Sequence, residues 1–329
     1  MRWLRAGLIA VLGVAALAAS ATLTTLHEPP ARAAAAARAA PPPSPPPRAG
    51  GSTRVVLVVE ENHEFGQIIG SRSAPFLNRL AARGTLLTRY YATTHPSLPN
   101  YIAMLGGDTL GIHRNCRTCH VGATNLVDQL EAAGIPWKAY YQGLPAPCST
   151  VTRSGAYVKK VNPFLYFDDI RAAPARCHRV VPLSELRADL AGGRLPRFVV
   201  IAPDLNHDMH SGTVAAADAY LRDLYRQLVA SPAWRGDTRL VVTFDEGTTH
   251  RGIGGQRGGG RVATIVVGPK VPAGVRDATA YDHYALLRSI EARFGLPPLR
   301  HAGDPGTAAI PAVAEGPRVA GRLAVTARG

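Results

Sequence analysis

Four apolar runs of the sequence each lead into side chains that could bind a cation or carry out chemistry. These side chains are Glu61, Asn62 and His63 after the run 54–60, His95 and Ser97 after the run 85–92, Asp204, Asn206, His207, Asp208 and His210 after the run 197–203, and Asp245 and Glu246 after the run 239–244. In open α/β folds, ligands bind where the carboxyl ends of parallel strands meet. We therefore expect the four segments to form one site.

These residue types favour metal-assisted attack by a serine. Glu61, Asp245 and Glu246 offer hard oxygen ligands for a divalent cation, which can stabilise an alkoxide. A serine hydroxyl is a weak nucleophile at neutral pH without such help. Ser97, two residues before Pro99, fits the start of a helix, where backbone N–H groups favour an anion. The competing interpretation is that Ser97 only caps this helix.

Strands and helices are predicted to alternate along the chain. The runs typical of strands buried on both faces, rich in β-branched residues, are 54–60, 197–203, 239–244 and 263–269. Apolar spacing and capping signals predict helices at 74–84, 97–107, 125–134, 214–230 and 281–295. This order predicts an α/β fold, a three-layer sandwich with a mostly parallel sheet covered by helices on both faces.

The first 33 residues have the pattern of an export signal. A basic start precedes a long apolar run, and an A-x-A triplet ends at Ala33. An uncleaved membrane anchor stays an open alternative because the apolar run is long. The Ala- and Pro-rich stretch 34–52 is typical of an extended linker. We expect a secreted or cell-surface protein with one catalytic domain at 53–302 and a loose tail at 303–329.

The net charge of +14 comes mostly from arginine, because only four of the 37 basic residues are lysine. The arginines are scattered, and no basic run contains interleaved aromatic residues. Recognition of nucleic acid would require a patch or stripe of charge, so we expect no nucleic-acid partner. A positive field still favours anionic substrates. Nothing in the sequence indicates an obligate protein partner.

The four cysteines, Cys116, Cys119, Cys148 and Cys177, suggest two disulfides in an exported chain. Of the three possible pairings we favour Cys116–Cys119 and Cys148–Cys177, the first because its members are close in sequence. The stretch "CRTCH" also matches the c-type haem attachment pattern. Zinc bound by the first two cysteines and two nearby histidines is a further alternative. Both are less favoured, because nothing nearby resembles a haem-binding domain and oxidising export disfavours free thiolates.

Several longer stretches, in order across about 54–298, resemble one known family. They include "VVLVVEENHEF", "YYATTHPSLPNYIAMLGG", "NPFLYFDDI", "IAPDLNHDMHSG" and "LVVTFDEG". Together they resemble the phosphoesterase family of secreted acid phosphatases and phosphatidylcholine-type phospholipases C, within the alkaline phosphatase superfamily. The resemblance implies an alkaline phosphatase-like fold and hydrolysis of phosphoric ester bonds.

The resemblance also implies roles for individual residues. The implied metal ligands are Glu61, Asn62, Ser97, Asp245 and Glu246. Ser97 is at the same time the implied nucleophile, and Asn62 is an implied phosphate ligand. "SLPNY" is also similar to the "TFPNH" stretch around the nucleophilic threonine of nucleotide pyrophosphatases in the same superfamily.

The segment 204–210 falls where the superfamily places ligands of a second metal, but it departs from the two-metal pattern. The position four after Asp204 is Asp208, with His207 beside it. This departure argues against two tightly bound ions. We expect imidazole to replace the second ion and hold the phosphate, with His207 or His210 as proton donor to the leaving group. The residues expected to contact the substrate are Asn62, His95, His207 and Asp208.

The sequence thus predicts a secreted, metal-dependent phosphoesterase that hydrolyses small phosphomonoesters through a phosphoserine on Ser97. The alternatives are a phospholipase C acting on phospholipid headgroups and an inactive phosphate-binding module. The absence of the long C-terminal segment of some lipid-cleaving relatives favours the phosphatase. The complete set of site residues argues against the inactive module. The expected cofactor is a divalent cation, for which oxygen-rich ligands allow Mg, Ca, Mn, Fe or Zn.

Overall fold

The computed structural model describes residues 53–315, so the predicted export signal and linker lie outside the described residues. The strands are β1 Thr53–Glu60, β2 Thr85–Tyr90, β3 Trp137–Tyr141, β4 Arg153–Ser154, β5 Tyr157–Val158, β6 Val180–Pro182, β7 Phe198–Ala202, β8 Asp237–Phe244, β9 Thr264–Val267 and β10 Val275–Tyr281. The helices are α1 Phe65–Ile68, α2 Pro75–Arg83, α3 Ser97–Gly106, α4 Leu126–Ala132, α5 Asp168–Arg171, α6 Pro174–Cys177, α7 Glu185–Ala191, α8 Val214–Ala230, α9 His283–Phe294 and α10 Pro311–Ala314. Between residues 53 and 315, no helix is both long and apolar enough to cross a membrane.

Eight strands form one sheet in the order β10-β2-β9-β8-β1-β7-β3-β6. Neighbouring strands are parallel, except that β9 runs antiparallel to both β2 and β8. One group of helices contains α2, α7 and α8, and a second contains α3, α4, α9 and α10. The structure therefore has the mostly parallel sheet between helical layers that the sequence predicts.

The central strands carry apolar side chains towards both faces of the sheet because helices cover both faces. In β1, Val55, Val56 and Val58 are completely buried, and so is Val241 of the neighbouring β8. This burial fixes the position of the strand ends, from which the polar side chains of the predicted site emerge.

The folded part continues beyond the predicted boundary at residue 302. Ile310 and Val313 are completely buried, and the Ile310 N–H donates to Ser289 Oγ of α9 at 2.7 Å. The prediction of a loose tail is therefore wrong for residues 303–315, because two apolar side chains among small residues are enough to attach this segment to α9.

The predicted disulfides Cys116–Cys119 and Cys148–Cys177 are both formed, and the described residues contain no free cysteine. The haem and zinc alternatives both require sulfur atoms that these bonds use. The second bridge ties together the irregular insertion at 143–180, which also carries the small β4–β5 hairpin.

Candidate active site

The register between β1 and β8 brings two predicted site residues together. The strands pair in parallel up to Glu60 and Phe244, so Glu61 and Asp245 leave the sheet at the same level. The Asp245 N–H donates to the Glu60 carbonyl at 2.9 Å, and the Asn62 N–H donates to Asp245 Oδ1 at 3.1 Å. Both carboxylates are completely buried.

Asn62 turns the chain sharply after β1. Its φ of 58° lies in the left-handed region, which asparagine tolerates better than most non-glycine residues. In this conformation its Nδ2 lies 3.4 Å from Glu61 Oε2, while its N–H faces Asp245. The strained turn thus holds the amide next to both carboxylates, as is common at functional sites.

Ser97 is the first residue of α3, after an N-cap at Pro96, and it is buried. Its Oγ lies 3.1 Å from Glu246 Oε1 and 3.4 Å from Glu61 Oε2. No backbone N–H of the described chain donates to this hydroxyl. The interpretation of Ser97 as a plain helix cap is therefore wrong, because the hydroxyl faces carboxylates instead of the helix.

Asn100 holds the loop that leads to Ser97. Its Oδ1 accepts the N–H groups of Thr93 and Thr94 at 3.1 and 3.0 Å. On the other side of this loop, a Cβ added to Gly259 would lie 2.2 Å from the Thr94 carbonyl oxygen, so the close approach requires glycine. The position of Ser97 is therefore set by backbone packing on both sides.

A positive charge that we did not identify from the sequence lies against Ser97. Lys160 Nζ is 2.8 Å from Ser97 Oγ and 2.7 Å from Glu61 Oε2. Burial opposes the charged form, but Glu61 and Asp245 raise the pKa of this ammonium above its ordinary value. The available signal was that lysine is rare in this chain and that this lysine precedes "NPFLYFDDI", a stretch of the family resemblance.

His95 contacts a predicted metal ligand. Its Nδ1 lies 2.6 Å from Glu246 Oε2, and its Nε2 lies 2.9 Å from the Thr249 carbonyl oxygen. Both ring nitrogens thus face acceptors. We predicted that His95 contacts the substrate; in the structure its contacts orient Glu246, whose other oxygen faces Ser97.

A second histidine supports the backbone of Asp245. His283 Nε2 donates to the Asp245 carbonyl at 2.7 Å, so its Nδ1 is the acceptor for the Tyr90 hydroxyl at 3.0 Å. Burial lowers the pKa of His283 to about 4, which keeps the imidazole neutral at pH 7. Asp282 next to it caps α9 by accepting the Ala285 N–H.

The segment 204–210 joins the site through Asp208. The Glu61 N–H donates to the Asp208 carbonyl at 2.8 Å, and the Asp208 side chain is buried. Burial, followed by the charge of Glu61, raises the pKa of Asp208 to about 8. The His210 N–H donates to Asp208 Oδ1 at 2.9 Å, and burial followed by Lys160 lowers the pKa of the His210 imidazole.

His207 is held by other contacts. Its Nδ1 lies 2.9 Å from Asp204 Oδ1, and its ring stacks on Tyr220 with centroids 4.5 Å apart. In the described part of the chain, no hydrogen bond or ion pair joins His207 or His210 to Ser97. The two predicted proton donors therefore do not contact Ser97 through a hydrogen bond or an ion pair.

The donors around Ser97 fit a divalent cation. The carboxylates of Glu61, Asp245 and Glu246 with the single ammonium of Lys160 leave about two negative charges when all are ionised. Asp245 Oδ2 is buried and has no hydrogen-bond partner within 53–315, and burial followed by Glu61 and Glu246 raises the pKa of this carboxyl. Hard oxygens of this kind suit oxygen-preferring cations.

His, Cys, Asp and Glu side chains alone do not form a complete metal centre. Among residues 53–315, no group of three or more of them is arranged to hold an ion. The predicted set includes three such side chains, Glu61, Asp245 and Glu246, so these three do not form an ion-binding group by themselves. The set would need the Asn62 amide and the Ser97 hydroxyl as further donors.

Comparison with known proteins identifies relatives along most of the chain. The phosphoesterase family model matches residues 71–297. The chain is 35% identical over 246 residues to a phosphatidylinositol-3-phosphatase of Mycobacterium tuberculosis, covering 74% of this chain and 77% of that protein. It is 32% identical over 256 residues to a probable acid phosphatase of Kluyveromyces lactis, covering 74% of this chain and 59% of that protein.

Phospholipases C match over a shorter region. Phospholipase C A of Mycobacterium tuberculosis is 28% identical over 206 residues, covering 52% of this chain and 39% of that protein. The chain therefore spans less than two thirds of this phospholipase and of the Kluyveromyces lactis acid phosphatase.

A solved structure supports the fold. A protein of the alkaline phosphatase superfamily from Vibrio parahaemolyticus superposes with a TM-score of 0.54 at 16% identity, covering 79% of this chain and 72% of that one. This similarity confirms the predicted alkaline phosphatase-like sandwich.

Proposed function

The chain belongs to the phosphoesterase family, and on this basis we propose that it hydrolyses phosphomonoesters with Ser97 as the nucleophile. The observation that carries the proposal is the surroundings of one hydroxyl. Ser97 Oγ lies between carboxylates of Glu61 and Glu246 and the ammonium of Lys160. A buried serine in such surroundings has both a proton acceptor and a positive charge next to its oxygen.

In the first step, Ser97 Oγ forms a bond to phosphorus, and the bond from phosphorus to the leaving oxygen breaks. The serine proton passes to a carboxylate, for which Glu246 Oε1 is the nearer acceptor at 3.1 Å. His95, on the other oxygen of Glu246, keeps this carboxylate oriented. The leaving oxygen takes a proton from a histidine of the segment 204–210, for which His207 and His210 are the two candidates.

In the second step, water attacks the phosphoserine. The water oxygen forms a bond to phosphorus and gives a proton to the histidine that protonated the leaving oxygen. The bond between phosphorus and Ser97 Oγ breaks, Ser97 Oγ takes back the proton held by Glu246, and inorganic phosphate leaves. Lys160 supplies positive charge beside this oxygen in both steps, where negative charge develops in the transition state.

A divalent cation fits the same site. Glu61, Asn62, Asp245 and Glu246 are the residues that would hold it, and bound there it would supply further positive charge for the serine oxygen and the phosphoryl group. The chain's own residues orient Ser97, accept its proton and hold Lys160.

The comparisons favour a phosphomonoesterase over a phospholipase C. The relatives named as phosphatases match over about three quarters of the chain, and the phospholipase C over about half. We also propose that the protein acts outside the cytoplasm, which its two disulfides support.

A hydrolysis panel tests the proposed function. Nitrophenyl phosphate, its diester and phosphatidylcholine are each incubated with the protein, with and without a chelator. We expect release of nitrophenol from the monoester, abolished by the chelator. Hydrolysis of phosphatidylcholine without hydrolysis of the monoester would establish the phospholipase instead.

A further inference from the structure

A basic cleft adjoins the site of Ser97. It has a volume of about 450 Å³, its charged lining residues are Arg117, Arg153, Lys159 and Lys160, and none of its lining residues is acidic. Lys160 lines the cleft and also belongs to the site of Ser97, because its Nζ lies 2.8 Å from Ser97 Oγ. The cleft is therefore a continuation of the reaction site.

The walls of the cleft are built by contacts between separate segments. Arg117 lies within the loop closed by the Cys116–Cys119 disulfide, and the Tyr166 hydroxyl donates to the Cys116 carbonyl at 2.9 Å. Lys159 Nζ donates to the Arg117 carbonyl at 3.3 Å and lies 4.4 Å from the centre of the Tyr166 ring. These contacts hold the Lys159 side chain against the backbone of the disulfide loop that carries Arg117.

A further contact fixes the cleft relative to the nucleophile. Asn115, which also lines the cleft, accepts the Leu98 N–H at 3.0 Å through its Oδ1. Leu98 follows Ser97 in α3. This hydrogen bond joins one wall of the cleft to the start of α3, the helix that carries Ser97.

Three of the four cations of the cleft lack anionic partners among the described residues, whereas Lys160 pairs with Glu61. Within residues 53–315, no carboxylate forms an ion pair with Arg117, Arg153 or Lys159. Burial and the neighbouring Arg171 lower the pKa of Lys159, as expected where positive charges crowd together. Uncompensated positive charge beside a reaction site attracts an anion.

We propose that this cleft binds a second anionic group of the substrate, a phosphate a few bonds away from the phosphate that Ser97 attacks. The proposal rests on the proposed function, because the first phosphate has to lie at Ser97. Arg117 and Arg153 present forked donors that match two oxygens of a phosphate. Bisphosphorylated substrates are therefore preferred over simple monoesters. The second phosphate belongs either to a soluble ester or to a phospholipid headgroup.

The test compares wild type with Arg117→Gln/Arg153→Gln on three substrates: nitrophenyl phosphate, a hexose bisphosphate, and phosphatidylcholine vesicles that carry a phosphatidylinositol phosphate. We expect kcat/KM for at least one of the last two, relative to nitrophenyl phosphate, to fall by about tenfold or more. A fall with the soluble substrate assigns the cleft to soluble esters, and a fall with vesicles alone assigns it to headgroups. Unchanged ratios for both would overturn the proposal.

The matched control is Arg235→Gln/Lys270→Gln. It removes the same charge from two exposed positions at the other end of β8 and β9, away from Ser97. This variant should leave both ratios unchanged. An equal fall in the control would show that overall charge, and not the cleft, selects the substrate, and would also overturn the proposal.

A binding measurement separates this proposal from the proposed function. In the Ser97→Ala protein, calorimetry with the hexose bisphosphate, and vesicle sedimentation for the lipid, need no turnover. Substitution of both arginines should raise the dissociation constant about tenfold. If wild type hydrolyses no monoester but binding of the bisphosphate or the lipid weakens when the two arginines are replaced, the proposed function fails and the anion-binding role of the cleft is retained. If the monoester is hydrolysed but the dissociation constant is the same with and without the two arginines, the cleft proposal fails and the proposed function stands.

Discussion

Lys160 Nζ lies 2.8 Å from Ser97 Oγ, although the two residues are 63 positions apart in the chain. The ammonium comes from an irregular insertion, and the hydroxyl comes from the first turn of a helix. Because Glu61 binds the same ammonium at 2.7 Å, the position of the charge is fixed from two directions. A fixed charge needs no reorganisation when negative charge develops on the serine oxygen.

The first prediction concerns this ammonium. Lys160→Met should lower kcat on nitrophenyl phosphate about a hundredfold to a thousandfold, because it removes positive charge from the transition state. Lys160→Arg should keep more activity, since it keeps the charge but not the shape. Steady-state kinetics with melting temperatures measures both, and Lys270→Met, at an exposed position far from Ser97, is the control. If Lys160→Met keeps more than about a third of wild-type kcat, Lys160 has no part in the chemistry.

The second prediction concerns a divalent cation. Burial, together with neighbouring carboxylates that include Glu61, raises the pKa of Asp245 and of Glu246. Removal of metal should therefore abolish activity and lower the melting temperature, and a divalent ion should restore both. Elemental analysis of active protein, followed by chelation and calorimetry, checks this. Full activity in protein shown to contain no metal would refute the expectation.

The third prediction concerns pH and stability. Burial lowers the pKa of His283 to about 4 from its ordinary 6.5, so the folded protein resists protonation. Between these values the unfolded chain binds a proton that the folded chain does not. The stability from this residue is therefore complete above pH 6.5 and falls by about 3 kcal/mol at pH 4.

Denaturant unfolding of wild type and His283→Gln at several pH values isolates this contribution. Glutamine does not titrate, so the difference in unfolding free energy between the two proteins should shrink as the pH falls from 7 to 4. A difference that stays constant with pH would show that His283 does not titrate as described.

The fourth prediction concerns the disulfides. Cys148 and Cys177 are 29 residues apart, and Cys116 and Cys119 only three. In the chain-entropy model the longer loop contributes about 4 kcal/mol and the shorter about 2 kcal/mol. Replacing Cys148 and Cys177 by serine should therefore lower the unfolding free energy more than replacing Cys116 and Cys119. Equal losses, or free thiols found by mass spectrometry of the protein under non-reducing conditions, would count against this.

Most of the fold could be predicted because burial on both faces leaves a clear pattern. The run 54–60 is apolar from Val55 to Val59, and these residues form the buried part of β1. The edge strand β10 was missed, since most of its residues are exposed and show no apolar pattern. The antiparallel direction of β9 could not be predicted either, because a strand buried on both faces has the same composition in both directions.

The site was predictable where it depends on strand ends. Glu61 and Asp245 follow paired strands directly, so their meeting follows from parallel register. Lys160 lies in an insertion without periodicity. Its contact with Ser97 depends on how this insertion folds, which the spacing of residues in the sequence does not predict. The pairing of His95 with Glu246 likewise required the structure, because the two residues are 151 positions apart.

The central claim is that Ser97 forms a bond to phosphorus. Ser97→Ala should lower turnover of nitrophenyl phosphate about a thousandfold or more. Its melting temperature should change little, because the hydroxyl does not cap α3. Ser73→Ala, at an exposed position, is the matched control and should change neither.

Acid quench during turnover, followed by peptide mass spectrometry, is the most direct measurement. The account predicts phosphoserine at position 97 in wild type and no phosphorylated peptide in Ser97→Ala. Phosphate found on another residue, or a Ser97→Ala protein that keeps more than about a tenth of wild-type turnover, would contradict it.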